Sequence, residues 1–386
     1  MQSHDFFDVI VIGVGSMGAS ACYQLASGGA KVLGIEQFDL PHNMGSHAGQ
    51  SRIIRQAYFE HPDYVPLLKR AYENWEHLEN ITGLQVFIKT GLLYAGPPNH
   101  ALMVGIHAAA DTYRIPVNDV PHAKRGSAFN ALYIPPSYGC LFEPGAGFIT
   151  PEKSIRLYAT LARNKGAILR TGTKAISWRE VGGVFEVNTS AGDFRASKLV
   201  VTAGAWASKV IPTLEVPLHV TKQVLAWVQP CNPKAVSLGN FPCWMVADDE
   251  LPGVFYGFPM LPVERFGGPT GFKLAWHYPG TACNPDDDDR AAPKADEMNL
   301  RKFLDKYFPG MYASTNEIKT CLYTNSPDEH FIIDYLPGYE GRVAVAAGFS
   351  GHGFKFVSVI GEILSDMVLK GGTVLPVDFL SLKRFG

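Results

Sequence analysis

The apolar positions of this chain fall into two rhythms, and the change from one to the other outlines its organisation. Phe7 to Ile12 is a near-continuous apolar run, which predicts a buried strand. After Gly13-Val-Gly15-Ser-Met-Gly18 the spacing becomes helical through about Ser27, and Gly29 ends that helix. Lys31 to Ile35 predicts a second strand, closing on Glu36. Tyr64, Leu68, Ala71, Tyr72, Trp75 and Leu78 fall on one stripe of a long helix whose aromatics are core packing. Val86 to Ala95 predicts a strand and Ala101 to Tyr113 a helix. Pro135 to Gly147, rich in Pro and Gly, reads as a crossing between domains, and Thr150-Pro151 caps and opens a helix that Gly166 ends.

From Ala167 the rhythm is that of short strands: Ile168–Arg170, Ala175–Trp178, a hairpin around Ser190-Ala-Gly-Asp193, and Lys198–Thr202 running into Ala-Gly204-Ala-Trp206. Gln223–Gln229, Cys243–Val246, Val254–Phe258 and Gly271–Trp276 predict an antiparallel sheet whose inner face covers a ligand. Ala295 to Tyr307 is an amphipathic helix, and Ile318 to Thr324 is the strand that carries Cys321. Arg342 to Ala347 predicts a last buried strand. A glycine-rich loop, Gly348-Phe-Ser-Gly-His-Gly-Phe-Lys355, then feeds a helix with Phe356, Val359, Ile360, Ile363, Leu364 and Met367 on its apolar face.

Composition narrows the function. The chain has 386 residues, 46% hydrophobic and 18% charged, enough for two or three domains with full cores. A net charge of −2 supplies no basic field for nucleic acid or an anionic membrane. Six cysteines lack the tight pairing of a zinc site or disulfide scaffold, which points to a reducing compartment. The N-terminus has no basic n-region, no apolar run reaches membrane length, and Lys-Arg-Phe-Gly at the C-terminus matches no lipidation or peroxisomal signal. The expectation is a soluble cytoplasmic protein. The run Asp286 to Asp289 reads as a solvated loop tip, and no metal site is expected.

The chemistry sits in three places. Gly13, Gly15 and Gly18 lie between a strand and a helix, with Glu36 at the end of the next strand. The glycines admit a pyrophosphate to the helix N-terminus, and Glu36 can hold ribose hydroxyls. At Gly348 to Lys355 another loop meets a helix N-terminus, where the macrodipole and Lys355 favour negative charge. Between these, Arg52 and Arg55 share one face if their segment is helical. Ile53, Ile54 and Ala57 want burial, which carries the arginines into a cleft where each needs an anion, a substrate carboxylate or the cofactor. The fingerprint occurs once, so no second site for a nicotinamide nucleotide is seen, and oxygen is the simplest electron acceptor.

Taken in order, Gly13–Gly18, Gly45-Ser-His47 with Ser51-Arg52-Ile-Ile-Arg55, Tyr256-Gly-Phe-Pro, Lys273 with His277, Cys321-Leu-Tyr323-Thr, Ser326-Pro-Asp-Glu-His-Phe-Ile-Ile-Asp334 and Gly348 to Phe356 resemble the monomeric sarcosine oxidase and N-methyltryptophan oxidase group of FAD-dependent amine oxidases. The resemblance implies an α/β fold of two domains. A Rossmann-like FAD domain would comprise 1–86, 145–215 and 322–386, and an antiparallel-sheet substrate domain 87–144 and 216–321. It implies that FAD is contacted by Gly13, Gly15, Ser16, Met17, Gly18, Glu36, Ser46, Ser51, Arg52, Ala175, Gly351, Gly353, Phe354 and Lys355, and is joined at its 8α carbon to Cys321. Arg55 and Lys355 would clamp the substrate carboxylate. Tyr256, His277 and Tyr323 would line the amine pocket, with His277 governing amine protonation. Arg52 would raise the electron affinity of the flavin, and Lys273 would promote reaction with oxygen.

The implied reaction converts an N-methyl amino acid such as sarcosine or N-methyltryptophan to the demethylated amino acid, formaldehyde and hydrogen peroxide, in a monomer without nucleic-acid or membrane partners. A cyclic imino acid or a glycated amino acid as substrate, a dehydrogenase with a quinone or protein acceptor, and a nucleotide-sensing module without turnover remain open on the sequence. Pro262 to Thr270 makes the segment between Tyr256 and Lys273 longer than in the simplest family members, so this loop could lie at the pocket mouth.

Overall fold

The computed structural model describes residues 6–278, 280–287 and 289–386. Its first apolar run, Phe6–Ile12, is a central strand of an eight-stranded sheet. It lies parallel to Val32–Ile35 on one side and to Gly192–Val201 on the other. Val32–Ile35 continues to Ile168–Arg170, again in parallel. The long strand Gly192–Val201 serves two neighbours on its outer edge. Its first half closes the hairpin with Val184–Thr189, and its last residues pair in parallel with Val343–Ala347. Helices Ser16–Ser27 and Val357–Lys370 cover one face and cross closely, for a Cβ on Gly361 would sit 2.1 Å from Ser20 Oγ. Only glycine permits that approach.

The second sheet has nine strands. Its spine is His219–Pro230, paired along its length with Tyr312–Asn325, so that Gln223 faces Cys321 and Thr221 faces Tyr323. Phe272–His277, Val254–Gly257 and Cys243–Ala247 follow in antiparallel order. The sheet is not wholly antiparallel: Cys243–Ala247 runs parallel to Leu92–Gly96. Tyr312–Asn325 is one unbroken strand, so the boundary expected at 321/322 falls inside it.

Four local expectations change. Val86 to Ala95 is two strands in different sheets, Phe87–Lys89 and Leu92–Gly96. The break is at Gly91, φ +71°, where a Cβ would meet the Phe142 ring at 2.2 Å. The stretch from Pro135 to Gly147 is not only a crossing, because Gly139–Glu143 within it pairs with Leu92–Gly96. Arg52–Ile54 is a strand in a three-stranded sheet with Gly147–Ile149 and Phe87–Lys89, not a helical turn. Arg52 and Arg55 therefore do not share a helix face. Thr150 precedes its helix without a side-chain cap, and its carbonyl accepts Ser154 Oγ at 2.7 Å.

Two aspartates of the acidic run are tied to neighbours while remaining exposed. Asp286 accepts Trp206 Nε1 at 2.6 Å and pairs with Lys209, and Asp289 lies 3.3 Å from Lys222 Nζ. Asp288 lies outside the described residues, as do Met1 to Asp5. Among the described residues, no helix is long and apolar enough to cross a membrane, and no three His, Cys, Asp or Glu side chains gather as a metal site needs.

Candidate active site

Strand Phe6–Ile12 delivers the chain into Gly13 at φ +90°, where a Cβ would meet Thr202 O at 2.7 Å. Thr202 Oγ1 donates to Gly13 O at 2.6 Å, stapling the turn to the end of Gly192–Val201. Gly18 lies under the same turn: its Cβ would stand 2.0 Å from Gly13 O, so packing alone calls for glycine there. Nothing lies within 4 Å of a Cβ on Gly15, which opens toward a cavity. Helix Ser16–Ser27 carries no side-chain cap and no acid in its first turn, so its N-terminus offers free N–H groups to an anion. Glu36 Oε2 accepts Val14 N at 2.9 Å and Oε1 accepts Phe38 N at 3.0 Å. Burial nonetheless pushes its carboxyl up to about 7.

The cavity holds about 400 Å³ and runs from this turn to the last glycine-rich loop. Of the residues expected to hold a cofactor, Gly13, Gly15, Ser16, Met17, Glu36, Ser46, Arg52, Ala175, Gly351, Gly353 and Phe354 line it. Gly18, Ser51, Cys321 and Lys355 are not in the lining, although Tyr323 and Thr324, beside Cys321, are. His42, Thr202, Trp206 and Ser350 also line it and were not singled out. Two buried lining atoms, His47 Nε2 and Thr324 Oγ1, have no hydrogen-bond partner among the described residues. Burial, then the neighbouring His42, hold His47 down near 3, so its imidazole is neutral. An uncapped helix N-terminus, a close-approach glycine and orphaned polar atoms fit a dinucleotide with a polar ring system at its far end.

The segment Gly45 to Arg52 forms the wall between this cavity and the second sheet. Arg52 donates to Ser46 O (3.0 Å), Ala48 O (2.7 Å) and Ser51 O (3.0 Å), all neutral carbonyls, so its charge is left unneutralised by direct contact. Glu152 Oε1 accepts Gly49 N at 2.8 Å and Gln50 N at 3.2 Å. Gln50 is held at φ +70° with its amide between Gly267 O and Trp227 Nε1. That contact places the Pro262–Thr270 loop against Gln50, and Arg265 fixes it further to Gln85. Lys273 is not a surface residue: it is 2% exposed, and Gly49 O, Ser51 O and Ser51 Oγ take its three donors. Burial first, then the field of Arg52, push it well below the usual lysine range. Ser51 thus holds Lys273.

On the other side of Arg52 lies a second group. Arg55 and Lys355 share the ring of Tyr58, at 4.4 and 5.1 Å. Both are buried, and neither lines the cofactor cavity. Arg55 already has an anion, since its Nη2 meets both oxygens of Glu60 at 2.6 and 2.7 Å, a partner the sequence reading missed. Despite its burial, Glu60 is held down near 2 by Arg55 and then by His352 and Lys355. Lys355 Nζ donates to His352 O at 2.6 Å, and burial, then Arg55, lower it to about 7. His352 Nε2 is bonded to Glu329 O, so the imidazole donates there and accepts the Tyr58 hydroxyl at Nδ1.

His277 Nδ1 stands 3.2 Å from the Tyr323 hydroxyl, and burial lowers it to about 4. The Tyr323 ring occupies the space that a Cβ on Gly351 (φ +80°) would take, at 2.1 Å. Tyr256 packs with Tyr323 and Cys321 around Leu225 and Trp227. Cys321 is 2% exposed, and burial raises its thiol against the lowering fields of Arg52 and Lys273. Tyr256, Cys321 and Tyr323 thus pack together, His277 is joined to them through Tyr323, and Arg52 and Tyr323 reach the cavity wall.

Known proteins resemble this chain along nearly its whole length. Residues 8–367 match the family described as FAD dependent oxidoreductase. The monomeric sarcosine oxidase of Bacillus sp. (strain NS-129) is 39% identical over 389 residues, covering 100% of this chain and 98% of that protein. The N-methyl-L-tryptophan oxidase of Citrobacter koseri is 32% identical over 383 residues, covering 98% of this chain and 99% of that one. Among solved structures, NikD, an unusual amino acid oxidase essential for nikkomycin biosynthesis, superposes with a TM-score of 0.85 at 22% identity, over 98% of this chain and 97% of its own. L-proline dehydrogenase from P. horikoshii gives 0.83 at 20% identity, over 99% and 98%. The likeness to these two structures is one of fold.

Proposed function

This chain belongs to the FAD dependent oxidoreductase family, within the group of the monomeric sarcosine and N-methyl-L-tryptophan oxidases, and from that premise we propose that it oxidises an N-methyl amino acid with oxygen as acceptor. The observation that carries the substrate class is the pair of buried cations, Arg55 and Lys355, over one tyrosine ring beside His277. Glu60 offsets one of these two cations, which leaves one positive charge that a substrate carboxylate satisfies with charge-assisted bonds.

The Ser16–Ser27 N-terminus and Glu36 would hold the dinucleotide, and Arg52 and the Gly348–Phe354 loop would hold its ring system. When bound, FAD supplies a two-electron acceptor for the carbon beside the amine nitrogen and passes those electrons to oxygen, giving hydrogen peroxide. Arg55 and Lys355 orient the amino acid by its carboxylate, which displaces Glu60 from Arg55 or shares that guanidinium with it. His277, neutral at pH 7, can accept a hydrogen bond from the substrate nitrogen and puts no charge beside it, and only an uncharged amine has a lone pair to assist oxidation. Tyr323 fixes that imidazole, and Tyr256 closes the wall beside it. The imine product hydrolyses to the demethylated amino acid and formaldehyde.

Lys273 is proposed to favour the oxygen step. Its donors are spent on Gly49 and Ser51, so it would act through its charge and by fixing that loop beside Arg52. Cys321 is proposed as the thioether link to the flavin 8α carbon. Protein precipitated in acid should then keep its yellow colour, and Cys321→Ala should release the flavin to the supernatant while still folding. Flavin that washes out of the denatured wild-type protein would refute the link. The name of the sarcosine oxidases supports a monomer, and the composition a cytoplasmic one. The activity itself is tested by formaldehyde and peroxide assays with sarcosine and larger N-methyl amino acids under air. Equal amounts of both products are expected from at least one of them, and neither product from any would contradict the reading.

A further inference from the structure

The segment that carries Arg55 is held by a side chain from the other sheet. Glu143 ends strand Gly139–Glu143 and is 1% exposed. Its Oε1 accepts Gln56 N at 2.7 Å, and its Oε2 accepts Ala57 N at 3.3 Å and the Tyr94 hydroxyl at 2.6 Å. Tyr94 is fully buried on the paired strand Leu92–Gly96, and burial lifts its phenol well above its usual range, so it stays a donor. Ala57 is then gripped at both ends, its N–H by Glu143 and its carbonyl by Arg55 Nη1 at 2.9 Å. Three residues on, Glu60 meets the other terminal nitrogen of the same guanidinium.

A carboxyl buried this deeply with no cation in hydrogen-bond contact is costly, and its two oxygens meet three donors that the single carbonyl of an amide side chain could not all meet in place. What the carboxylate adds is two acceptors aimed at consecutive amides, which fixes the turn after Arg55. Burial raises this carboxyl above its usual range, against the Tyr94 hydroxyl, the Gln56 amide, the field of Arg55 and the Ala57 amide.

We propose that Glu143, backed by Tyr94, is a positioning residue for Arg55: it sets the turn at Gln56–Ala57 and so decides where the guanidinium meets the substrate carboxylate. This rests on the carboxylate-clamp reading above. It places control of substrate binding in the second sheet, on a residue that need not touch the ligand.

The test uses the flavin-loaded protein and acetate as probe, read from the perturbation of the flavin spectrum, with the limiting rate of anaerobic flavin reduction measured beside it. Glu143→Gln puts an amide N–H against a backbone N–H or the phenol, and should weaken acetate binding about tenfold while the limiting rate at saturating N-methyl amino acid stays within about threefold. Tyr94→Phe should act in the same direction by less, and serves if the first variant does not fold. The discriminating arm is the double substitution: in an Arg55→Ala background, Glu143→Gln or Tyr94→Phe should change acetate affinity no further. A merely structural role would add to the Arg55 effect, and that outcome overturns the proposal. So does unchanged acetate affinity in both single variants while Arg55→Ala loses it. If Arg55→Ala itself binds acetate normally, the clamp reading fails first.

Discussion

Arg55→Ala should weaken acetate binding by roughly tenfold to over a hundredfold, because a charge-assisted hydrogen bond contributes about 1.5–3 kcal/mol and a forked pair more. The same change leaves Glu60 without its cation at a site where its side chain is 14% exposed. Breaking a buried pair from one side costs about 3–5 kcal/mol in general, and a carboxylate able to reach water loses less. A lower melting temperature is therefore expected beside the lost affinity, and Arg55→Ala with Glu60→Gln should regain part of the stability but not the acetate binding. Lys355→Ala should weaken acetate as well, and the two losses should not add, since both groups hold one ligand. Lys355 also sets the pH dependence. Its ammonium is the binding form and titrates near 7 without ligand. A bound carboxylate raises that value, so acetate affinity should be level from about pH 6 to 7, where acetate is ionised, and fall as pH rises above that. Lys355→Met should remove that fall. Unchanged acetate affinity in Arg55→Ala would mean that the carboxylate is held elsewhere.

Lys273→Met should slow reoxidation of the reduced flavin by air far more than its anaerobic reduction by substrate. The loss of one preorganised electrostatic donor commonly costs ~10²–10³ in rate, and a loss of that order is expected in the oxidative half-reaction alone. The structure sharpens the control. Lys273 also ties down Gly49 and Ser51, and a Cβ on Gly49 would lie 3.2 Å from Arg52 Nη1 and 3.7 Å from Lys273 Nζ. Releasing that loop could move Arg52 and slow both half-reactions together. Stopped-flow traces of each half-reaction separate the cases, and equal slowing of both would assign Lys273 to holding the loop.

How much of this could be read from the chain depends on how local each requirement is. Gly13, Gly15 and Gly18 were legible because one short turn holds all three, packing Gly13 and Gly18 together and leaving Gly15 open, and Ile12 and Glu36 sit at fixed distances along the chain. Arg55 and Lys355 were legible through motif order, and the fold brings both onto the Tyr58 ring. Glu60 was not, since an acid in Tyr-Phe-Glu-His reads as surface and only the fold of the loop turns it onto Arg55. Glu143 was missed for the same reason: its partners lie in a distant segment of the chain. Gly351 was named as a cofactor contact, but its need for glycine also comes from the Tyr323 ring, set by strand register. The break at Gly91 was hidden by apolar residues on both sides, and the tie from Asp286 to Trp206 by an acidic run that looks like any solvated tip.

The central claim is that a carboxylate clamp and a flavin in this chain act together on N-methyl amino acids. Its most direct test is to mix the purified yellow protein, without oxygen, with sarcosine, larger N-methyl amino acids, cyclic amino acids and the corresponding primary amino acids, and to follow the visible flavin band. The account predicts rapid and complete bleaching by at least one N-methyl amino acid, slower or no bleaching by its primary counterpart, and protection by acetate that depends on Arg55. A flavin that stays oxidised with every N-methyl amino acid, or that bleaches as fast in Arg55→Ala as in the wild type, would contradict it.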